Sequence, residues 1–327
     1  GMNMPEVTAK YLGKRMKGFM NFVVAFLLMA VGVSFVIGPA GLMQNLTSID
    51  KEIWLYIIFG YYILATLLPV DKIIGSIYPF MGAILLFMAF GVGVMLIVGD
   101  INGTYEIMEL TPAVLKNWHS NPEQNMIFPM MFIVISCGAI SGFHATQSPM
   151  MARCLKNEKH ARPVFYGAMI AEGVVAMIWA TAAISYFGGP DGLNAAMSDT
   201  GTMVNGVLVK NAQAADIVDM ICKSWLGKVG AVIAILGVVI CPITSGDTAF
   251  RSLRLSVADF LKYDQKPIVK RLVVCLPIFV AAFFFCKVDF STAWSYLGIA
   301  NQILASLVLW PGAAYLINKG AAHWMCS

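Results

Sequence analysis

Residues 126–151 read MIFPMMFIVISCGAISGFHATQSPMM. The first ten are almost entirely apolar. From Ser136 to Pro149 the same run holds two glycines, a proline, three serines, a threonine, a glutamine and a histidine. About 20 consecutive apolar residues are needed for a helix to cross a hydrocarbon layer roughly 30 Å thick, where backbone groups must bond within the helix. Proline removes a backbone donor and glycine weakens a helix, so this stretch predicts a membrane span that unwinds part-way along. Such backbone is tolerated at membrane depth only where protein or a water-filled cavity covers it, which makes the interruption a candidate site.

Seven further apolar runs flank it: Phe19–Met43, Ile53–Pro69, Ile73–Val98, Val164–Phe187, Val229–Thr248, Leu272–Cys286 and Trp294–Ile317. The fold class expected is therefore all-α, a polytopic membrane helical bundle with about eight transmembrane segments over a single domain, 1–327. Leu272–Cys286 is the shortest run and needs a thinned bilayer or extended flanks. Composition agrees with this reading. Of 327 residues 59% are hydrophobic and 12% charged, about half the usual charge fraction of a soluble domain. That excludes a water-soluble globule, a disordered chain, a nucleic-acid-binding protein and a disulfide scaffold. The seven cysteines lack C-x-x-C spacing and lie mostly in apolar runs, as small core residues do.

Most of the 22 basic residues fall in alternate loops. Lys10, Lys14, Arg15 and Lys17 precede the first run, Arg153, Lys156, Lys159 and Arg162 follow the fourth, and Arg251 to Arg271 follow the sixth. Under the positive-inside rule these loops and both termini face the cytoplasm. Of the two long segments on the other side, 188–227 carries helical apolar spacing over Ala212–Trp225, read either as a cap over the outer mouth or as an amphipathic connector along the membrane surface. Trp54, Trp118, Trp225, Trp294 and the pair Tyr61-Tyr62 suit an interfacial aromatic belt. Gly38-Pro39-Ala40-Gly41 is expected to end the first helix.

A second interruption, Cys241-Pro242-Ile243-Thr244-Ser245-Gly246-Asp247-Thr248, adds a carboxylate to the same residue types and predicts a second unwound segment. His144, Glu172 and Asp247 lie at membrane depth, where an unpaired charge costs at least about 2.5 kcal/mol, so each must be paired, neutral or water-facing. His144 either donates to a backbone carbonyl or lines the pathway with Thr146, Gln147 and Ser148. Glu172 either takes part in ion coupling or pairs with Arg153 or Arg162. Thr244, Ser245, Asp247 and Thr248 offer hard oxygen ligands for a proton or Na⁺. Arg251, one helical turn beyond Asp247, can pair with it or with an anionic substrate, while Arg251 and Arg254 equally suit a role as inner-surface anchors. Asn301 and Gln302 can contact substrate or form interhelical hydrogen bonds. The sequence lacks H-E-x-x-H, G-x-S-x-G, a P-loop and a dinucleotide fingerprint, and its histidines are too scattered for a metal centre, so neither an enzyme nor a cofactor is expected.

The strings Cys137–Arg153, Tyr166–Glu172, Thr244–Arg254 and Trp294–Gln302 resemble the carbon starvation protein A family of bacterial inner-membrane proteins, and the resemblance extends over essentially the whole chain. It implies a fold related to the inverted-repeat amino acid, polyamine and organocation transporters. It also implies uptake of short peptides or pyruvate during carbon starvation, driven by a proton gradient. Family members have further helices upstream, so the chain is expected to be an internal fragment of a longer protein. The expected function is a secondary active transporter for small carboxylate-bearing nutrients. Its substrate-binding residues would be His144, Thr146, Gln147, Ser148, Thr244, Ser245, Arg251, Asn301 and Gln302, and its ion-coupling residues Asp247, His144, Glu172 and Thr248. The partners expected are the small-molecule substrate and the lipid bilayer; the rival reading is a nutrient sensor without net transport.

Overall fold

In the computed structural model, which describes residues 2–47, 49–67, 71–109, 111–138, 140–265, 267–287, 290–324 and 326, a single long helix organises the rest. Pro69, Ala139 and Lys266, which the sequence reading used, lie outside these residues. A short helix α1 (Met4–Leu12) is closed at its start by a capping box, Asn3 Oδ1 accepting from the Glu6 amide and Glu6 Oε2 from the Asn3 amide, both at 2.9 Å. Gly13, at φ +94°, turns the chain into α2 (Lys14–Thr47).

Helix α2 is apolar over most of its length and largely buried, with Leu27, Leu28, Val36 and Ala40 inaccessible to solvent while Phe19, Phe22 and Phe26 face outward. Around it pack α3 (Lys51–Leu67), α10 (Gly227–Leu261), α11 (Ile268–Phe285) and α12 (Phe290–Asn318), with α1 across one end. Gly32 lets the Phe250 ring lie against the α2 backbone, since a Cβ there would fall 2.6 Å from the ring. Phe250 in turn packs on Tyr62 and Phe279, ring centroids 5.4 Å away in each case. Pro39 does not end the helix. α2 runs on through it, contrary to expectation.

A second layer joins α4 (Asp71–Ile101) and α7 (Ala168–Tyr186) to segment 188–227, which follows α7. That segment is structured: α8 (Pro190–Met197), a hairpin of β1 (Thr202–Val204) and β2 (Val207–Val209), and α9 (Ala214–Trp225). Asn205 and Gly206 make the hairpin turn with φ of +51° and +80°, the left-handed pair that an Asn-Gly dipeptide supplies. α9 is not a connector lying along the membrane surface. Its apolar side, Ile217, Ile221, Cys222 and Trp225, is buried against protein. Trp225 is 6% exposed and packs on Tyr105 and Tyr186, and Tyr62 is fully buried, so both leave the predicted aromatic belt.

The chain is predominantly helical, 78%. Among the described residues five helices are long and apolar enough to cross a membrane: Lys14–Gln44, Pro79–Ile101, Glu158–Tyr186, Ile268–Phe285 and Thr292–Asn318. The other three predicted runs fall on α3, on α10, and on a pair of short helices, α5 (Ile127–Gly138) and α6 (Gly142–Cys154). The surface totals 19053 Å², where a water-soluble globule of 35.5 kDa exposes roughly 13,000 Å². Phe80, Phe87, Phe90, Val134, Val269 and Phe284 point outward from three of the helices, an apolar exterior that suits lipid as its solvent. Among the described cysteines, Cys222, Cys275 and Cys286 are buried and Cys326 partly so, whereas Cys154 and Cys241 are exposed.

Candidate functional site

The first predicted interruption is a real break. α5 stops at Gly138, and α6 starts at Gly142 with Ser141 as its N-cap, the hydroxyl 3.4 Å from the His144 amide. The new N-terminus is closed from outside by α12. Asn301, 1% exposed, turns its Oδ1 to accept from the Phe143 amide at 2.9 Å and from the Ser141 hydroxyl at 3.4 Å. Only glycine fits at 142, because a Cβ would lie 2.7 Å from the Asn301 carbonyl oxygen and 2.8 Å from Leu304 Cβ. Asn301 thus plugs the break. Gln302 beside it is partly exposed, and its carbonyl accepts from Ser306.

The second predicted interruption is not a break. Residues 241–248 are helical throughout, inside α10. Thr244 Oγ1 donates to the Cys241 carbonyl at 2.9 Å and Thr248 Oγ1 to the Thr244 carbonyl at 3.0 Å, so these hydroxyls are satisfied by the helix itself. Tyr62 Oη donates to the Ile243 carbonyl at 3.1 Å, and it reaches the backbone because Gly246 has no side chain in its way. Thr244, Ser245 and Thr248 border a hollow of about 270 Å³ facing Met81, Gly82 and Leu85 of α4.

The ionisable groups form two pairs. On α10, Asp247 is buried and its Oδ2 accepts from Arg251 Nη2 at 3.0 Å across one turn. Arg254 lies within electrostatic reach of the same carboxylate. Between α6 and α7, His144 Nε2 lies 3.5 Å from Glu172 Oε2, with side chains 36% and 46% exposed. Glu172 therefore pairs with His144, the partner not anticipated, in place of Arg153 or Arg162. His144 Nδ1 is buried and makes no hydrogen bond among the described residues. α6 adds Thr146, donating to the Phe143 carbonyl at 2.7 Å, and Ser148, donating to the His144 carbonyl at 2.8 Å. Gln147 Nε2 donates to Ser252 Oγ at 3.1 Å, which bridges α6 to α10 one residue beyond Arg251.

The Tyr62 contact was not legible from sequence, whereas Asn301 forms the interhelical hydrogen bonds that were one of its two expected roles. Gly246 and Gly142 were the visible signals, since a glycine in an apolar run often marks a close approach.

Residues 7–208 match the family model described as carbon starvation protein CstA. The chain belongs to that family. This CstA-family chain is 40% identical over 243 residues to an uncharacterized membrane protein of Haemophilus influenzae, covering 61% of the chain and 66% of the relative. It is 28% identical over 249 residues to the peptide transporter CstA of Campylobacter jejuni, covering 61% of the chain and 35% of that protein. Over 58 residues it is 48% identical to the pyruvate/proton symporter BtsT of Escherichia coli, 17% of the chain and 8% of the symporter. The chain thus spans about a third of the length of the Campylobacter transporter and about two thirds of the Haemophilus protein. A multi-pass membrane protein of a transporter family is the identification these findings carry.

Proposed function

We propose that this CstA-family chain is the transmembrane domain of a secondary active transporter that imports small carboxylate-bearing nutrients, short peptides or pyruvate, with protons as the coupling ion. The family match, the apolar exterior and the names of the Campylobacter and Escherichia relatives support the reading. In it the chain crosses the inner membrane eight times with both termini cytoplasmic, and the helices follow the inverted-repeat scheme of amino acid and polyamine transporters.

The observation that carries the mechanism is the Asp247–Arg251 pair, 3.0 Å apart with the carboxylate only 4% exposed. While Asp247 is ionised it occupies the Arg251 guanidinium. A proton arriving on Asp247 removes that charge and weakens its hold on Arg251, so that a substrate carboxylate competes for the guanidinium. Proton and anion then bind together or not at all, which is the linkage a symporter needs. His144 and Glu172, close enough to share a proton, form the second element of the relay. Thr146, Gln147 and Ser148 on α6 and Thr244, Ser245 and Thr248 on α10 supply hydroxyl and amide contacts along the pathway, with Gln302 near the α6 break.

The test is uptake of labelled dipeptide and labelled pyruvate by proteoliposomes under an imposed pH gradient. Accumulation that collapses with a protonophore is expected. Saturable binding with no accumulation would instead indicate a nutrient sensor.

A further inference from the structure

A cavity of about 620 Å³ lies between the second half of α2, the start of α9 and the Pro242 turn of α10, away from both ion pairs. Its volume is that of a small-molecule pocket. What sets it apart is a cluster of hydrogen-bond acceptors on one part of its wall. Pro39 has no N–H to offer the carbonyl four residues earlier, Phe35, and Pro242 has none for Val238. Both prolines and both of the residues they deprive border this one cavity. Ser34 borders it too, is 1% exposed, and its Oγ makes no hydrogen bond among the described residues. Asp216, the first acidic residue of α9, adds a carboxylate. Against these stand Lys51 at the start of α3, the single cationic side chain among the described lining residues, and the side-chain amides of Gln44, Asn211 and Gln213.

A buried hydroxyl left unpaired costs about 1–3 kcal/mol, and helix carbonyls stripped of their donors add to that debt unless a ligand satisfies them. A primary ammonium carries three donors and no acceptor, the complement of this acceptor cluster. An anion without donors, such as pyruvate, brings only further acceptors. Lys51 supplies what a carboxylate at the other end of the same ligand needs.

We propose that this cavity is a binding site for small zwitterions, holding the ligand's ammonium group against Ser34 Oγ, the Phe35 and Val238 carbonyls and Asp216, and its carboxylate at Lys51. The site lies roughly 8–14 Å along α10 from Asp247, counting from Pro242 and Val238 at 1.5 Å per residue. It is therefore separate from the coupling pair, and substrate occupies it before reaching Arg251. This deepens the transport reading and rests on it for the second step only: within that reading it selects amine-bearing substrates, short peptides or amino acids, over pyruvate.

The experiment is equilibrium binding of labelled L-alanyl-L-alanine to the purified full chain in lipid nanodiscs, with N-acetyl-alanyl-alanine, alanyl-alanine amide and pyruvate as competitors. Charge-assisted hydrogen bonds of roughly 1.5–3 kcal/mol set the scale, so acetylation, which removes the ammonium, is expected to weaken competition by about 10–100-fold. Ser34→Ala is expected to weaken dipeptide binding by about tenfold while leaving the melting temperature unchanged or higher, because it deletes a hydroxyl that has no partner in the fold. Lys51→Met should weaken the dipeptide and spare its amide. The inference is overturned if pyruvate or the acetylated dipeptide competes as well as alanyl-alanine, if wild type binds no dipeptide, or if Ser34→Ala and Asp216→Asn both bind as wild type does. Uptake measured alongside separates the two readings. Normal uptake in the cavity variants rejects this site and leaves transport standing, whereas dipeptide binding without any uptake in wild type supports the site and rejects transport.

Discussion

Residues 136–149 and 241–248 have nearly the same composition, yet one breaks its helix and the other does not. The difference lies in what each meets. At the first, Asn301 on α12 offers a buried acceptor to the Phe143 amide and Ser141 hydroxyl, so a new helix N-terminus is stable there. At the second, Thr244 and Thr248 return their hydroxyls to the helix's own carbonyls, and Tyr62 supplies a donor beside Pro242. Proline and glycine thus permit an interruption, and a partner of the right polarity decides whether it occurs. The unbroken segment still does what a break does, because Pro242 frees the Val238 carbonyl next to a cavity without unwinding anything.

This contrast can be broken in several ways. The largest effect is expected for transport: Asp247→Asn should abolish gradient-driven uptake in proteoliposomes while the protein stays folded, since Asn still bonds Arg251 but cannot hold the exchangeable proton. Unchanged uptake would leave the helical segment without its proposed role. Next, Asn301→Leu strands two buried donors at the α6 start and should cost roughly 2–5 kcal/mol, seen as a lower melting temperature in detergent. An unchanged melt would mean that the break needs no plug. Gly246→Ala pushes a methyl into Tyr62 Oη and should cost about 1–3 kcal/mol. Tyr62→Phe in the same chain should recover part of that loss, and a failure to recover any would place the strain elsewhere. The smallest effect concerns α9. Burial, aided by Asp219, pushes the Cys222 thiol up to about 12, so at pH 8 a maleimide should modify Cys154 and spare Cys222, as peptide mass spectrometry can show. Rapid labelling of Cys222 would detach α9 from the protein core.

Much of the fold was legible in sequence because apolar length is a one-dimensional property. Among the described residues the eight runs fall largely on helix, the fourth broken between Gly138 and Gly142. The pairings were less legible. Glu172 had two arginines nearer in sequence, yet its partner is His144, brought to it by the turn between α6 and α7. Trp225 carried the signature of a membrane-surface residue but is buried, because α9 spends its apolar face on Tyr105 and Tyr186.

By itself the sequence determined that the chain lives in lipid, that its spans are helices, and that Asp247 must be paired, neutral or water-facing, with Arg251 one turn away as a candidate partner. All three follow from local length, periodicity and charge. Only the tertiary structure decided that Asn301 would hold one helix broken, that Tyr62 would leave another whole, and that Pro39 and Pro242, 203 residues apart in number, would open their freed carbonyls onto one hollow. Those outcomes depend on which buried donor meets which buried acceptor, and that choice is made by packing across the bundle.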